Sequence, residues 1–176
     1  MQTYIALLRG INVSGQKKVP MAELRELLST LDFQNVQTYI QSGNIIFQTS
    51  EKNIQDLEMK IHEAMKNHFG FEVPVLVKTP KQMKHIFDAC PFSEEKKINS
   101  YFILLYSKPD KDLVDGISTL SNENESFFIT DQCVYFHSGI GYGKSKFSNN
   151  FFERQLKVTA TARNYKTMLK LVELNF

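Results

Sequence analysis

What most constrains this chain is the order in which strand-like and helix-like patterns follow one another. Tyr4–Leu8 is a short, nearly continuous apolar run ended by Arg9-Gly10, the pattern of a strand covered on both faces or in a central position. Ile11–Val19 reads as a loop with Gly15 as its flexible point and Lys17 and Lys18 exposed. Pro20 fits the first turn of a helix, where its missing N–H is not needed, and Met21, Leu24, Leu28 and Leu31 then recur at helical spacing. Val36–Ile40 and Ile45–Gln48 read as strands joined through Gln41-Ser42-Gly43-Asn44, residues that tolerate turn dihedrals. Ser50 is placed to cap a second helix with the stripe Ile54, Leu57, Ile61 and Met65, and Gly70 sits where a left-handed C-terminal cap belongs. Val73–Val77 is a further strand, which Pro74 confines to a sheet edge or a strand start. The order β-α-β-β-α-β is that of the split βαβ, or ferredoxin-like, arrangement. Its expected layering is an antiparallel sheet with helices on one face.

The pattern then returns. Thr79-Pro80-Lys81-Gln82 opens a helix, with Thr as cap, Pro at the first position and Gln three residues after the cap. That helix stops before Cys90-Pro91, and Glu94–Ser100 is a polar connector. Tyr101–Tyr106 is a strand, and Leu113, Ile117 and Leu120 mark a short helix. Phe127–Thr130 and Cys133–His137 are strands around Asp131-Gln132, and Phe147, Phe151 and Leu156 mark another helix. A last strand falls near Val158, before a final helix over Ala162–Leu174 with Tyr165, Met168, Leu169 and Val172 on its apolar face. The halves repeat in pattern and not residue by residue. The expected fold is therefore α+β: two ferredoxin-like (split βαβ) halves with antiparallel sheets, plus a C-terminal helix. The halves are residues 1–78 and 79–176, joined within 79–99 or merged into one continuous domain.

Composition supports a packed interior. Of 176 residues 42% are apolar, with 14 Phe and 7 Tyr, which argues against disorder. A net charge of +2 is too weak to announce a nucleic-acid binder. Cys90 and Cys133 form no CxxC pair and read as reduced core thiols of a cytosolic protein. No basic segment with a cleavage signal precedes the first strand, and no apolar run approaches the ~20 residues of a membrane span, so a soluble, cytoplasmic protein is expected. His62, His68, His85 and His137 show no zinc-ligand spacing, and no nucleophile elbow is present. No metal and no cofactor is expected.

Three motifs carry a family resemblance. They are Ala6-Leu7-Leu8-Arg9-Gly10-Ile11-Asn12-Val13 with Pro20-Met21 and Leu24-Arg25, Thr38-Tyr39-Ile40-Gln41-Ser42-Gly43-Asn44, and Thr161-Ala162-Arg163-Asn164-Tyr165-Lys166-Thr167. Together they resemble the DUF1697 family, a bacterial domain of unknown function. Ser14 departs from its pattern, where glycine is usual. The resemblance implies a pair of ferredoxin-like halves and no particular activity. The polar residues that its pattern singles out are Arg9, Asn12, Ser42, Asn44, Arg163 and Asn164.

Those residues suit an anion. Arg offers a planar fork of donors to phosphate or carboxylate, and backbone N–H groups beside Gly10, Gly15 and Gly43 can form a nest. A pocket where the first loop, the Ser42-Gly43-Asn44 turn and the last helix meet would let Arg9 and Arg163 hold the anion while Asn12, Ser42 and Asn44 orient it. The structural alternative has equal weight: the Asn residues stabilise turns and the Arg residues tie the last helix to the sheet. Ser138-Gly139-Ile140-Gly141-Tyr142-Gly143-Lys144-Ser145 resembles a phosphate-binding loop, but its first glycine is Ser138 and no parallel βαβ unit surrounds it. Lys144 is a lesser candidate for the same pocket. Arg163, Lys166 and Lys170 share one face of the expected final helix, more often a solvated face than a contact to phosphate. Tyr4, Tyr39 and Phe47 lie on strands where exposed rings could stack bases, but no stretch matches the RNA-recognition signature, and Phe47 reads as a core residue while Tyr4 and Tyr39 stay open. The expected function is a binding protein for a phosphate-bearing small molecule or nucleotide. The alternatives are an enzyme acting on such a ligand, by phosphoryl transfer or hydrolysis, and a nucleic-acid-binding module. The sequence names no oligomeric state.

Overall fold

The structure, a computed structural model, describes residues 1–174. The chain divides into two compact units, one over Met1–Gln82 and the other from Met83 onward. In the first unit the strands are β1 (Gln2–Leu8), β2 (Gln34–Tyr39), β3 (Asn44–Thr49) and β4 (Val75–Lys78), and the helices α1 (Met21–Ser29) and α2 (Ile54–Phe69). The strand order is β2-β3-β1-β4, with neighbouring strands antiparallel. This is the ferredoxin-like order that β-α-β-β-α-β implies.

The first core follows from the strand period of two. Tyr4, Ala6 and Leu8 of β1, Ile45 and Phe47 of β3, and Val75 and Val77 of β4 meet Leu24, Leu28, Leu57, Ile61 and Met65 of the two helices. The stripes read from the sequence are therefore the buried ones. Ile5 and Leu7 are buried as well, so β1 is covered on both sides, as its unbroken apolar run requires.

The helix ends follow some local signals and depart from others. Gly70 adopts the left-handed cap at φ 78° and donates to the Lys66 carbonyl at 3.0 Å. The N-cap of α2 is Asn53, not Ser50: its side chain accepts from the Gln55 N–H at 3.0 Å. Glu51 meanwhile accepts from the N–H groups of Lys52 and Asn53, both at 2.7 Å. A carboxylate one residue beyond the serine and an amide side chain three residues beyond it take the amides here. Pro20 occupies the cap of α1 and not its first helical position.

Helix α3 (Pro80–Asp88) starts as expected. Thr79 Oγ1 accepts from the Gln82 N–H at 3.2 Å, and Gln82 Oε1 accepts from the Thr79 N–H at 2.8 Å, a reciprocal capping box. The polar connector contains a short helix, α4 (Glu94–Lys97). Then come β5 (Ser100–Leu105), α5 (Lys111–Ser118), β6 (Glu125–Ile129), β7 (Cys133–Ser138), a 3-10 turn at Tyr142–Lys144, α6 (Asn149–Leu156), β8 (Ala160–Asn164) and α7 (Tyr165–Glu173). The second sheet runs β6-β7-β5-β8, all antiparallel, the same order as the first. One face buries Ile103, Leu105, Phe136, Phe152, Leu156 and Ala160. On the other, Phe87 of α3 stacks on Phe102, and the Tyr135 hydroxyl donates to the Ile86 carbonyl at 2.8 Å. The second sheet is thus packed on both faces, where helices on one face were expected.

One boundary differs with consequences for the site. The last strand is Ala160–Asn164, and the final helix begins only at Tyr165. Thr161-Ala162-Arg163 completes the sheet beside Leu104, Ile103 and Phe102. Pairing with β5 outweighs the weak helical preference of so short a run. Arg163 is therefore not on the helical face that carries Lys166 and Lys170.

Candidate functional site

Arg9, Asn12, Ser42 and Asn44 belong to the first unit, and Lys144, Arg163 and Asn164 to the second. Within the first unit, Asn12 has a left-handed backbone, φ 54°. Its Oδ1 accepts from the Val19 N–H at 2.8 Å, and its Nδ2 donates to the carbonyls of Val19 at 3.0 Å and Gln41 at 2.8 Å. One amide side chain thus closes the 11–19 loop and fastens it to the β2–β3 turn. Asn44 is fully buried, and its Nδ2 donates to the Tyr39 carbonyl and to Ser42 Oγ, both at 3.0 Å. These bonds give both asparagines structural roles. The half-buried Arg9 donates its backbone N–H to the Pro74 carbonyl at 3.1 Å.

Tyr4 and Phe47 are buried and stack on each other with centroids 5.9 Å apart. They are core rings, not a platform for bases. Asn12, Ser14, Lys17 and Ile40 carry positive φ, so the 11–19 loop and the β2–β3 turn are held in conformations L-residues rarely adopt.

In the second unit, Arg163 is buried. Its guanidinium donates to Thr161 Oγ1 at 2.8 Å and the Ala162 carbonyl at 2.9 Å. Burial pulls its pKa down to about 10, against a smaller opposing effect of Tyr106, so the group stays charged at neutral pH. Asn164 caps α7, its Oδ1 accepting from the Thr167 N–H at 2.9 Å. An Asn, a favoured N-cap residue, directly before the apolar-periodic run was the sequence signal that α7 starts at Tyr165.

The glycine-rich segment is not a phosphate-binding loop. It follows a strand paired antiparallel to both its neighbours. It folds into a 3-10 turn, and α6 starts only at Asn149. The Gly139 N–H goes to the Asn124 carbonyl, that of Gly141 to Ser138 and that of Lys144 to Gly141, at 2.7, 3.4 and 3.1 Å. Amides turned inward to the chain cannot cradle a phosphate. Lys144 itself is exposed.

A cleft of about 450 Å³ opens at this end of the second sheet. It is lined by Ile98, Asn99 and the start of β5 (Ser100, Tyr101), by the end of β7 (His137, Ser138) with Gly139, Gly141 and Tyr142, and by Asn164 with the start of α7 (Tyr165, Lys166). Tyr101 and Tyr142 stack there with centroids 4.2 Å apart. The Tyr142 hydroxyl accepts from the Asn149 N–H at 3.0 Å, which pins the turn to α6. Burial raises the Tyr142 pKa, with the Asn149 bond opposing. The Ser100 hydroxyl donates to the Lys96 carbonyl and that of Ser138 to Glu125, at 2.7 and 3.3 Å.

His137 lies opposite Ser100 and Ser126 in register. Its Nδ1 and Ser126 Oγ are buried without a hydrogen-bond partner. Burial, with Lys96 adding to it, lowers the His137 pKa and favours neutral imidazole. Lys166 stands in the first turn of α7, where the amides of Tyr165 and Lys166 have no acceptor within the helix. Among the described residues lining the cleft there is no carboxylate.

Of the seven candidate residues, only Asn164 lines this cleft. His137, Tyr101 and Tyr142 were not candidates, because strand register and a tight turn, not sequence spacing, bring them together. Elsewhere Cys133 is fully buried and Cys90 only half-buried, and burial raises both thiol pKa values. Among the described residues no helix is long and apolar enough to cross a membrane.

Comparison with known proteins agrees with the fold. No curated protein matches the sequence. A conserved bacterial protein, SP0830 from Streptococcus pneumoniae, has a similar structure, with a TM-score of 0.73 and 24% identity over 97% of each chain. At that identity the likeness concerns the fold alone. The family model described as "Protein of unknown function (DUF1697)" matches residues 1–135, and the chain therefore belongs to the DUF1697 family.

Proposed function

We propose that this protein binds a phosphate-bearing small molecule, and that the second-unit cleft receives it. The observation that carries this reading is the charge of the cleft wall. Lys166 and the N-terminal end of α7, Asn164 and Tyr165, line it, and among the described residues no carboxylate lines it. The positive end of a helix favours an anion, and an ammonium beside it adds to the attraction. Asn164 contributes an amide side chain at the same place. A volume of about 450 Å³ lies within the range of small-molecule sites.

Isothermal titration with inorganic phosphate, ribose 5-phosphate and adenosine 5′-monophosphate tests it. Binding of at least one of them, weakened about tenfold or more by Lys166→Ala and by raised salt, is the expected result. No binding across the three would sink the reading.

A further inference from the structure

We infer that the phosphate-bearing ligand of this cleft is a nucleotide, held by its base against the Tyr101–Tyr142 pair and by its phosphate at the start of α7. This rests on the phosphate reading of the same cleft and adds the chemistry of the other end of the ligand. Both rings line the cleft and stack on one another, with centroids 4.2 Å apart at 24°, so a base would add to the outer side of the stack and not to the faces already in contact. The pair is rigidly mounted. Tyr101 is held in β5 between Phe136 of β7 and Asn164 of β8. The Tyr142 ring meets Phe136 edge-on at 6.1 Å, and its hydroxyl accepts from the Asn149 N–H.

Register places this surface beside the anion donors. Tyr101 is directly opposite Asn164, which caps α7, and Lys166 follows two residues later. A ligand that satisfies both ends must join a flat apolar group to an anion within one small molecule. A nucleotide does so, since every base has a π-face. A sugar phosphate or inorganic phosphate uses only the anion end. Asn99 and His137 also line the cleft and can meet the edge of a base, as donor and acceptor from the amide and as donor or acceptor, by tautomer, from the imidazole.

The test compares adenosine 5′-monophosphate with ribose 5-phosphate by isothermal titration, on wild type and Tyr101→Leu. A second measurement, saturation-transfer NMR on wild type, needs no variant to fold. The expected result is that the nucleotide binds about tenfold or more tighter than the sugar phosphate. That advantage should disappear in folded Tyr101→Leu, and the adenine protons should receive the strongest saturation. Equal affinity for the two ligands, or saturation confined to the ribose protons, overturns the inference while leaving the phosphate reading intact. If neither ligand nor inorganic phosphate binds, both readings fall together.

Discussion

Leu8 and Gly43 are joined twice. The Leu8 N–H donates to the Gly43 carbonyl at 2.8 Å, and a Cβ built on Gly43 would stand 2.6 Å from Leu8 Cβ and 3.0 Å from Ile11 Cδ1. Gly43 also has φ 80°, so the position combines a left-handed backbone with no room for a side chain. Gly43→Ala should therefore destabilise the protein by about 3 kcal/mol, from the left-handed penalty plus overpacking. Chemical denaturation would check this. A midpoint unchanged from wild type would mean that β1 and the turn separate easily.

Asn12 ties the same region together by three hydrogen bonds. Asn12→Ala should cost about 2 kcal/mol, because a backbone N–H and two carbonyls lose their partner. The affinity for phosphate compounds should not change beyond that of a destabilised protein. A selective loss of binding in a variant with wild-type stability would return Asn12 to the site.

Lys166 and Arg163 should separate binding from stability. Lys166 is exposed, and Lys166→Ala should leave the thermal midpoint within a few degrees while weakening anion binding. Arg163 is buried, and Arg163→Ala should lower stability by about 3 kcal/mol. Arg163→Lys should recover only part of that loss, since an ammonium cannot reproduce the planar fork. Thermal melts of the three variants beside titrations would test the division. Wild-type stability in Arg163→Ala would contradict the structural role.

His137 makes a prediction about acid. Its folded pKa lies below the ordinary value of about 6.5. Between the two values the unfolded chain holds the extra proton, so stability rises with pH across that window. The contribution is complete above pH ~6.5 and is lost as the pH falls through the depressed folded value. Urea midpoints at pH 7.5 and 5.5 should drop more for wild type than for His137→Gln. An equal drop in both would show that His137 titrates normally.

The two thiols should differ in reactivity. Cys133 is wholly buried and Cys90 half-buried, with the Cys133 pKa pushed well up by burial. A disulfide reagent at neutral pH should label Cys90 first and Cys133 only when the second core opens. Simultaneous labelling of both in the native protein would contradict the packing around β7.

Much of this fold is set by patterns that one sequence carries alone. Strand runs such as Tyr4–Leu8, helix stripes such as Leu24–Leu28 and Leu57–Ile61–Met65, the capping box at Thr79–Gln82 and the glycine cap at Gly70 are local statements of side-chain period and backbone freedom, and all fold as read. Local pattern does not choose between near-equal local outcomes. Arg163 could begin a helix or end a strand, and only the partner β5 makes it a strand residue. Ser50 could cap, yet Asn53 reaches the amides first. The cleft is a stronger case, because Tyr101, His137, Tyr142 and Lys166 span 66 positions, from 101 to 166 inclusive, and share no motif. Antiparallel register sets Tyr101 opposite Asn164 and Ser100 opposite His137, and a 3-10 turn held by Asn149 brings Tyr142 onto Tyr101. The sequence by itself determined the elements and the two-fold recurrence of their order, because periodicity and caps are local. Tertiary structure alone decided which polar and aromatic groups face a common space, because that depends on strand pairing between residues far apart in the chain.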